Sequence, residues 1–511
     1  MLVQSVHTQS PQESRRGRTP SPAWDQAIVL SNRGPVSLER GTDGSLRSRR
    51  SSGGLITALE PLIRACAATW VACGTQAGDA EGEAGGFDVR CATSRYRLRY
   101  VCPSAEEYRG YYYGFANEGL WPLCHAVCVQ PVFRPTDFFA YRSVNRRFAA
   151  AVANEATCSD PLLLVQDYHL GLAPRELRYR LPAATMVSFW HIPWPSLHVL
   201  RVCPWARELV DGLLASDIAG FQTPDDCTNF VNAAERILGA SVDQSSGIVR
   251  YRGRETRAGA YPVSVEWNND VVRATPPAAV CREQVRRELG LPADTLMGVG
   301  VDRLDYTKGI NEKFLAIERL LEQQPALRAR FVFVQVAEPS RECLPEYRSA
   351  RERLIATARR VNERFGGESN GPIRLLESRH TPEEVYRLYR AADVCHVGSL
   401  RDGMNLVAKE FICARDDEHG VLVLSDCTGA ALQLRDALLI NPWSIESSSG
   451  ALWKALTMPE TEQVNRMRRL RLSVADADAG CWARRLLADA ESTRGTKRLV
   501  EAHAPVAQLS A

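Results

Sequence analysis

Short apolar runs, each closed by polar or turn residues and separated by longer amphipathic stretches, set the pattern of this chain. From Ala27 onward "AIVLSNR", "ATWVACG", "YRLRYVC", "PLLLVQDY", "ATMVSFWHIP" and "SDIAGFQT" read as buried strands. Helical patterns such as "DFFAYRSVNRRFAAAVANEA" lie between them. A second series begins near Thr295, with "TLMGVGVDRLD", "RFVFVQVA", "IRLLES", "ADVCHVGSL" and "GVLVLSD", again separated by helices such as "NEKFLAIERLLEQQP". Strand–helix alternation of this kind predicts parallel, doubly wound sheets. The stretch "YPVSVEWNNDVVRATPPAAVCRE", with Pro276 and Pro277, reads as the linker between the two series. The expected class is therefore α/β, as two Rossmann-like doubly wound domains facing a cleft. Residues 25–270 form the first and 271–455 the second. Helices over 456–494 brace the two, and polar tails at 1–24 and 495–511 flank them, the first of these read as disordered.

Composition narrows the function. The 511 residues suffice for two cores, and 45% hydrophobic with 24% charged residues is ordinary for a globular protein. With 63 basic and 60 acidic residues the net charge is only +3, so no basic stripe points to nucleic acid. Lysine occurs only at 308, 313, 409, 454 and 497, and the arginine excess reads as compositional bias. No stretch is apolar enough to span a membrane, and the N-terminal residues lack an apolar signal core, so membrane partners are not expected. The 15 cysteines are scattered without a C-x-x-C. Reduced thiols in a cytoplasmic protein are the reading, with no zinc site.

In doubly wound sheets ligands bind beyond the carboxyl ends of the strands, so the residues there carry the chemistry. Here they are Arg33, Asp167, His191, Arg303, Arg341 and Asp402. In "VGVDRLDYTKG", Arg303 and Lys308 flank a turn closed by Gly309 and suit a diphosphate; a surface pair of Arg303 with Asp305 is the equal alternative. In "SLRDGMNLVAKEF" a strand hands over to a helix starting near Met404 or Asn405, with free N–H groups for oxygen ligands. Asp402 precedes that helix. Glu410 follows by roughly 7–8 Å along the axis, a separation fitting one carboxylate to a sugar and the other to a ribose. Asp402 as a mere cap and Glu410 as a solvated residue is the alternative. Asp167 and His169 in "QDYHL" resemble a metal pair but lack a third ligand, and the D-x-D of Asp476 and Asp478 falls in an Ala-rich helical run. No metal or cofactor is expected.

The blocks "SNRGPV", "SSGGL", "YYGFANEGLWPLCH", "QDYHL", "HIPWP", "GFQT", "DRLDYTKG", "AEPSR" and "LRDGMNLVAKEF", in this order from Ile28 to Trp482, resemble those of the trehalose-6-phosphate synthases. These are retaining glycosyltransferases of the GT-B type, glycosyltransferase family 20. The resemblance implies a GT-B architecture and transfer of glucose from a nucleotide-diphosphate glucose (UDP-, GDP- or ADP-glucose) to glucose 6-phosphate. It implies that Arg303 and Lys308 grip the donor diphosphate, and that Asp402 with the backbone of Gly403, Met404 and Asn405 holds the donor glucose. Glu410 would meet the ribose, and His191 the reacting sugar. Gly53 and Gly54 would lie in a glycine-rich loop over the donor. Arg33, Tyr112, Trp121 and Arg341 would receive the acceptor phosphate, and Asp167 the acceptor hydroxyls.

Departures from the family pattern are Gly34, Trp194 and Gln433, expected near donor or acceptor, and Glu118 with Gly119 ahead of Trp121. They keep a cyclitol phosphate or glycerol phosphate open as the acceptor. A non-catalytic sugar-phosphate sensor is the alternative of another class, and Arg303, Lys308, Asp402 and Glu410, all in place, argue against it. Self-association into a homo-oligomer is left open.

Overall fold

A computed structural model describes residues 24–40, 46–50, 68–75, 79, 83, 86–91, 94–366 and 371–503. The first sheet is built from β1 (Ala27–Ser31), β4 (Ala68–Cys73), β6 (Ser94–Val101), β7 (Leu162–Gln166), β8 (Thr185–Phe189) and β9 (Ile218–Phe221). These run parallel in the order β9-β8-β7-β1-β4-β6. Counting these six alone, the order is 3-2-1-4-5-6, that of a dinucleotide-binding fold. Every residue of β1, β4, β7, β8 and β9 is buried, which is why each appears in the sequence as an unbroken apolar run.

The second sheet repeats the plan. Strands β13 (Leu296–Arg303), β14 (Phe331–Glu338), β15 (Ile373–Leu376), β16 (Val394–Val397), β17 (Val421–Ser425) and β18 (Leu438–Ile440) are all parallel, in the order β15-β14-β13-β16-β17-β18. All eleven strands expected from apolar runs are present. The additions are edge or hairpin strands. Strand β5 (Phe87–Cys91) lies antiparallel to β6, and β12 (Arg254–Ala260) extends the sheet beside β9. These last two alternate or break their apolar residues, so no continuous run marks them, and β18 is apolar but only three residues long.

The two sheets meet through a stitched linker. Val263 N–H donates to Gln222 Oε1 (3.0 Å), and its carbonyl accepts from the ammonium of Lys409 (2.7 Å) on helix α2 (Leu406–Ala414). Val265 O accepts from Ala479 N (2.9 Å), the first residue of helix α3 (Ala479–His503). That helix packs Trp482 on Phe189 of β8 and receives the Tyr261 hydroxyl on Asp489. A continuous buried apolar cluster runs through Val29, Val187, Tyr261 and Val265 to Val299, Val334 and Trp482.

Much of the arginine excess is structural. Buried Arg178, Arg286, Arg390 and Arg415 each donate to backbone carbonyls where helices or turns end; Arg415 alone serves Tyr389, Arg390 and Ala392. A delocalised guanidinium with five donors suits such sites better than an ammonium. The cysteines among the described residues are free thiols. No helix among the described residues is long and apolar enough to cross a membrane.

Lys409 is the exception among these buried cations. It is 1% exposed, and its ammonium meets only the Val263 carbonyl and the Gln433 amide oxygen (2.7 Å). Burial pushes its pKa down to about 7. An unfolded lysine titrates near ~10.4, so between pH 7 and ~10 the unfolded state binds more protons and stability rises with pH. A Gln433→Glu substitution should give Lys409 a counter-ion, raising the thermal midpoint at pH 7 by several degrees. That advantage should shrink by pH 9 to 10. A midpoint difference that is absent at pH 7, or equal at pH 7 and 9, would contradict this.

Candidate functional site

Each sheet has its switch in winding direction where β1 meets β7 and where β13 meets β16. The residues following these four strands converge. Behind β13, Asp305 caps a single 3-10 turn, Tyr306–Lys308, by accepting from Thr307 N and Thr307 Oγ1 (both 3.0 Å). Gly309 leaves that turn at φ 61°, and a Cβ there would lie 2.2 Å from the Gly398 carbonyl oxygen, so only glycine fits. The turn projects Lys308 onto Asp402 behind β16, where its ammonium donates to the carboxylate. Asp402 also accepts from Asn405 Nδ2 (3.2 Å). Burial opposes ionisation of Asp402, but Lys308 holds its carboxyl below the usual range.

Helix α2 starts one residue later than expected, at Leu406. Asn405 is its cap, at φ 81°, with its side-chain oxygen on Ala408 N (3.2 Å). Glu410 is the fifth residue of α2, part-buried and not merely solvated. It accepts from Tyr389 OH (3.2 Å), and burial raises its carboxyl.

On the opposite side, β7 ends at Gln166 and Asp167 takes φ 74°, uncommon for a residue with a side chain. Asp167 Oδ1 accepts from His191 N (3.2 Å). Burial lifts the Asp167 pKa to about 6, against the pull of the Tyr168 and His191 amides, Arg341 and Arg303. His191 is held by glutamines: Nε2 donates to Gln166 Oε1 (2.9 Å), and Gln222 Nε2 approaches Nδ1 at 3.4 Å. Burial lowers its pKa to about 3, so the ring is neutral in the physiological range. The two halves touch here. A Cβ at Gly403 would lie 2.3 Å from the His191 carbonyl oxygen, and one at Gly429 would lie 2.0 Å from the Gly403 carbonyl oxygen.

The third part is an aromatic and cationic corner. Arg341 sits 4.4 Å over the Trp121 ring and Arg303 at 5.7 Å. Arg341 donates to Tyr347 OH (2.5 Å) and Asp305 (3.3 Å) in its own half, and to Tyr168 OH (3.3 Å) in the other. The alternative of a surface Arg303–Asp305 pair is thereby overturned: the partner of Asp305 is Arg341, and both side chains are buried. Tyr112 lies against His169, rings parallel within 9° and 5.6 Å apart. Burial would raise the Tyr112 phenol, yet Arg341, Arg33 and Arg303 together hold it below its usual range. Arg33 is exposed at the rim.

Arg33, Tyr112, Trp121, Asp167, His191, Arg303, Lys308, Arg341, Asp402, Gly403 and Asn405 thus line or adjoin one cleft, while Met404 is buried in the apolar core and Glu410 meets Tyr389. Gly53 and Gly54 lie outside the described residues. Trp194 does not line the cleft: it is fully buried against Trp190 and Phe230. Gly34 is buried with Ala72 Cβ 3.0 Å from where its own Cβ would be, so its smallness is a packing requirement. Asp167 and His169 approach to 3.8 Å, and among the described residues no cluster of three or more His, Cys, Asp or Glu side chains could hold a metal ion. The Asp478 of the D-x-D receives Cys481 N (2.8 Å), as a helix cap does. Residue-by-residue reading missed Asp305, Tyr168, Gln166 and Gln222. Asp305, Tyr168 and Gln222 sit inside the quoted blocks, and Gln166 opens "QDYHL", so position after a strand was the available signal.

A sequence model of the family described as glycosyltransferase family 20 matches residues 25–492. A trehalose-6-phosphate synthase of Mycobacterium sp. (strain KMS) is 39% identical over 475 residues, covering 91% of this chain and 95% of that one. Among solved structures, an alpha,alpha-trehalose-phosphate synthase (UDP-forming) from Burkholderia xenovorans in complex with glucose-6-phosphate is 30% identical. It aligns over 91% of this chain and 100% of its own, with a TM-score of 0.81. An E. coli structure, described as trehalose-6-phosphate bound with UDP-2-fluoro glucose, is 27% identical over 91% and 99% of the two chains, with a TM-score of 0.80. The two-sheet architecture is that of these GT-B proteins.

The glycine contact is directly testable. In Gly403→Ala the added methyl meets backbone, which cannot swing aside, so the halves must separate. Small-angle scattering should show a larger radius of gyration than wild type, with each half still folded by circular dichroism. An unchanged radius would contradict the contact.

Proposed function

The chain belongs to glycosyltransferase family 20, and from that premise we propose that it transfers glucose from a nucleotide-diphosphate glucose to glucose 6-phosphate with retention, forming trehalose 6-phosphate. The observation that carries this reading is the corner where Arg341, Arg303 and Arg33 act together on Tyr112, with Trp121 beneath Arg341. Converging guanidinium groups beside a phenol, one of them held over an indole face, suit a phosphate monoester dianion. Glucose 6-phosphate supplies one, and a relative of this architecture carries that molecule.

On the donor side, Arg303 and Lys308 neutralise the departing diphosphate of a UDP, GDP or ADP sugar. Lys308 then exchanges Asp402 for phosphate oxygens, and the freed carboxylate accepts hydroxyls of the transferred glucose. The amides of Gly403, Met404 and Asn405 support the same sugar, and Glu410 takes a ribose hydroxyl. Asp167 accepts acceptor hydroxyls.

Neutral His191, with Nε2 committed to Gln166 and Nδ1 facing Gln222, is a poor nucleophile; on this reading its carbonyl meets the reacting sugar carbon. Front-face attack follows, with the leaving phosphate oxygen taking the acceptor's proton as the new glycosidic bond forms. Positioning and charge stabilisation carry the rate. The reading places the enzyme in the cytoplasm with its phosphorylated substrates.

Two kinetic results check it. Glucose should be a far poorer acceptor than glucose 6-phosphate, and Arg341→Ala should raise the acceptor KM about 10- to 100-fold while barely moving the donor KM. Lys308→Ala should lower kcat about a hundredfold or more. Equal use of free glucose would sink the phosphate corner. A preference for a cyclitol or glycerol phosphate would keep the corner and replace the product.

A further inference from the structure

Four residues beyond Trp121, on the short helix Trp121–His125, stands a side chain that the proposed chemistry leaves idle. His125 is 1% exposed, and its ring lies 4.1 Å from that of Trp121. Its Nδ1 is 2.8 Å from the Trp121 carbonyl oxygen, which can only accept, so the ring proton sits on Nδ1 and the lone pair on Nε2. That Nε2 has no hydrogen-bond partner, and neither has the buried indole N–H of Trp121. One helix end therefore presents a bare acceptor and a bare donor together. Orphaned buried groups of this kind are uncommon and call for a ligand or water to complete them.

The surroundings identify the ligand chemistry. Burial is the main influence on the ring and keeps it uncharged; after the Trp121 carbonyl, the charges that act on it are Asp305, Asp402 and Lys308. The imidazole lies against Trp121, whose ring also carries Arg341 at 4.4 Å and Arg303 at 5.7 Å, so it stands beside the cationic corner. An acceptor lone pair repels phosphate oxygens and carboxylates, so a phosphate is excluded as its partner. A hydroxyl fits, because it can donate to Nε2 and accept from the Trp121 N–H at once.

We infer that Nε2 of His125 accepts a hydrogen bond from a ring hydroxyl of one of the two sugars, making His125 a substrate contact. The inference rests on the transferase reading above. The competing role is packing: His125 fixes the orientation of Trp121 and touches no substrate.

His125→Phe keeps the ring and removes both nitrogens. Wild type and variant are assayed with UDP-glucose and glucose 6-phosphate, then with analogues lacking one hydroxyl at a time on donor or acceptor. In wild type, one deoxy analogue should lose about 10- to 100-fold in kcat/KM through this hydroxyl. In His125→Phe that penalty should fall below about 3-fold, the others staying as they were, and the arm in which it vanishes names the sugar. If every penalty persists while activity drops, His125 only packs and the inference is overturned.

A second readout needs no variant and no turnover. The ¹⁵N resonance of Nε2 in histidine-labelled wild type should move on adding UDP-glucose or glucose 6-phosphate. Turnover without that movement overturns the contact alone. Movement without turnover leaves the contact and overturns the transferase reading.

Discussion

Two backbones in contact set the geometry of this molecule. Gly403, behind β16 of one sheet, lies so close to the His191 carbonyl, behind β8 of the other, that no side chain can intervene. Gly429 packs as closely against the Gly403 carbonyl within the second half, which fixes the turn that makes the contact. Because both sheets reverse their winding beside this point, the polar residues following four strands are delivered to one cleft. The stitched linker supports the contact from behind: Lys409 bonds Val263, Val263 bonds Gln222, and Gln222 approaches the His191 ring. Position along the linker is thereby tied to position at the His191 ring.

Bringing so many charges out of water is costly unless they are paired. The cleft satisfies this by internal pairing. Lys308 takes Asp402, while Arg341 takes Asp305 and the hydroxyls of Tyr347 and Tyr168. Such pairs are poor stabilisers of a fold but good placeholders for substrate. A diphosphate offers Lys308 a partner of higher charge than Asp402, and a phosphate monoester offers the arginine corner one that Tyr112 can only approximate. On the proposed roles these groups are oriented before either substrate arrives, so little reorganisation is left for the reaction step.

The sequence made the parallel strands legible because burial on both faces leaves them as unbroken apolar runs. It hid β5 and β12, whose polar and apolar residues are mixed, and β18, an edge strand of only three residues. The strand-end rule located Arg33, Asp167, His191, Arg303, Arg341 and Asp402 at the cleft without any coordinates. What it could not supply was pairing: that Asp305 belongs to Arg341 and not to Arg303 depends on β13 and β14 lying side by side. Nor could it separate Trp194, a core residue, from Trp121, a cleft residue, since both follow the same aromatic-rich spelling. The arginine excess, which reads as compositional bias, serves in part to satisfy buried carbonyls, a role visible only once helix ends are placed in space. Gln433 was legible as a departure, but its meaning came from Lys409, the buried ammonium that meets its amide.

Retaining transfer requires the paired cleft to hold an activated glucose against a phosphorylated sugar and to join them on one face. Proton NMR of the reaction with UDP-glucose and glucose 6-phosphate tests this most directly. One nucleoside diphosphate should be released per disaccharide phosphate formed, with both anomeric protons in the α configuration of a 1,1 linkage. A β-configured product, or release of free glucose without a disaccharide, would contradict it.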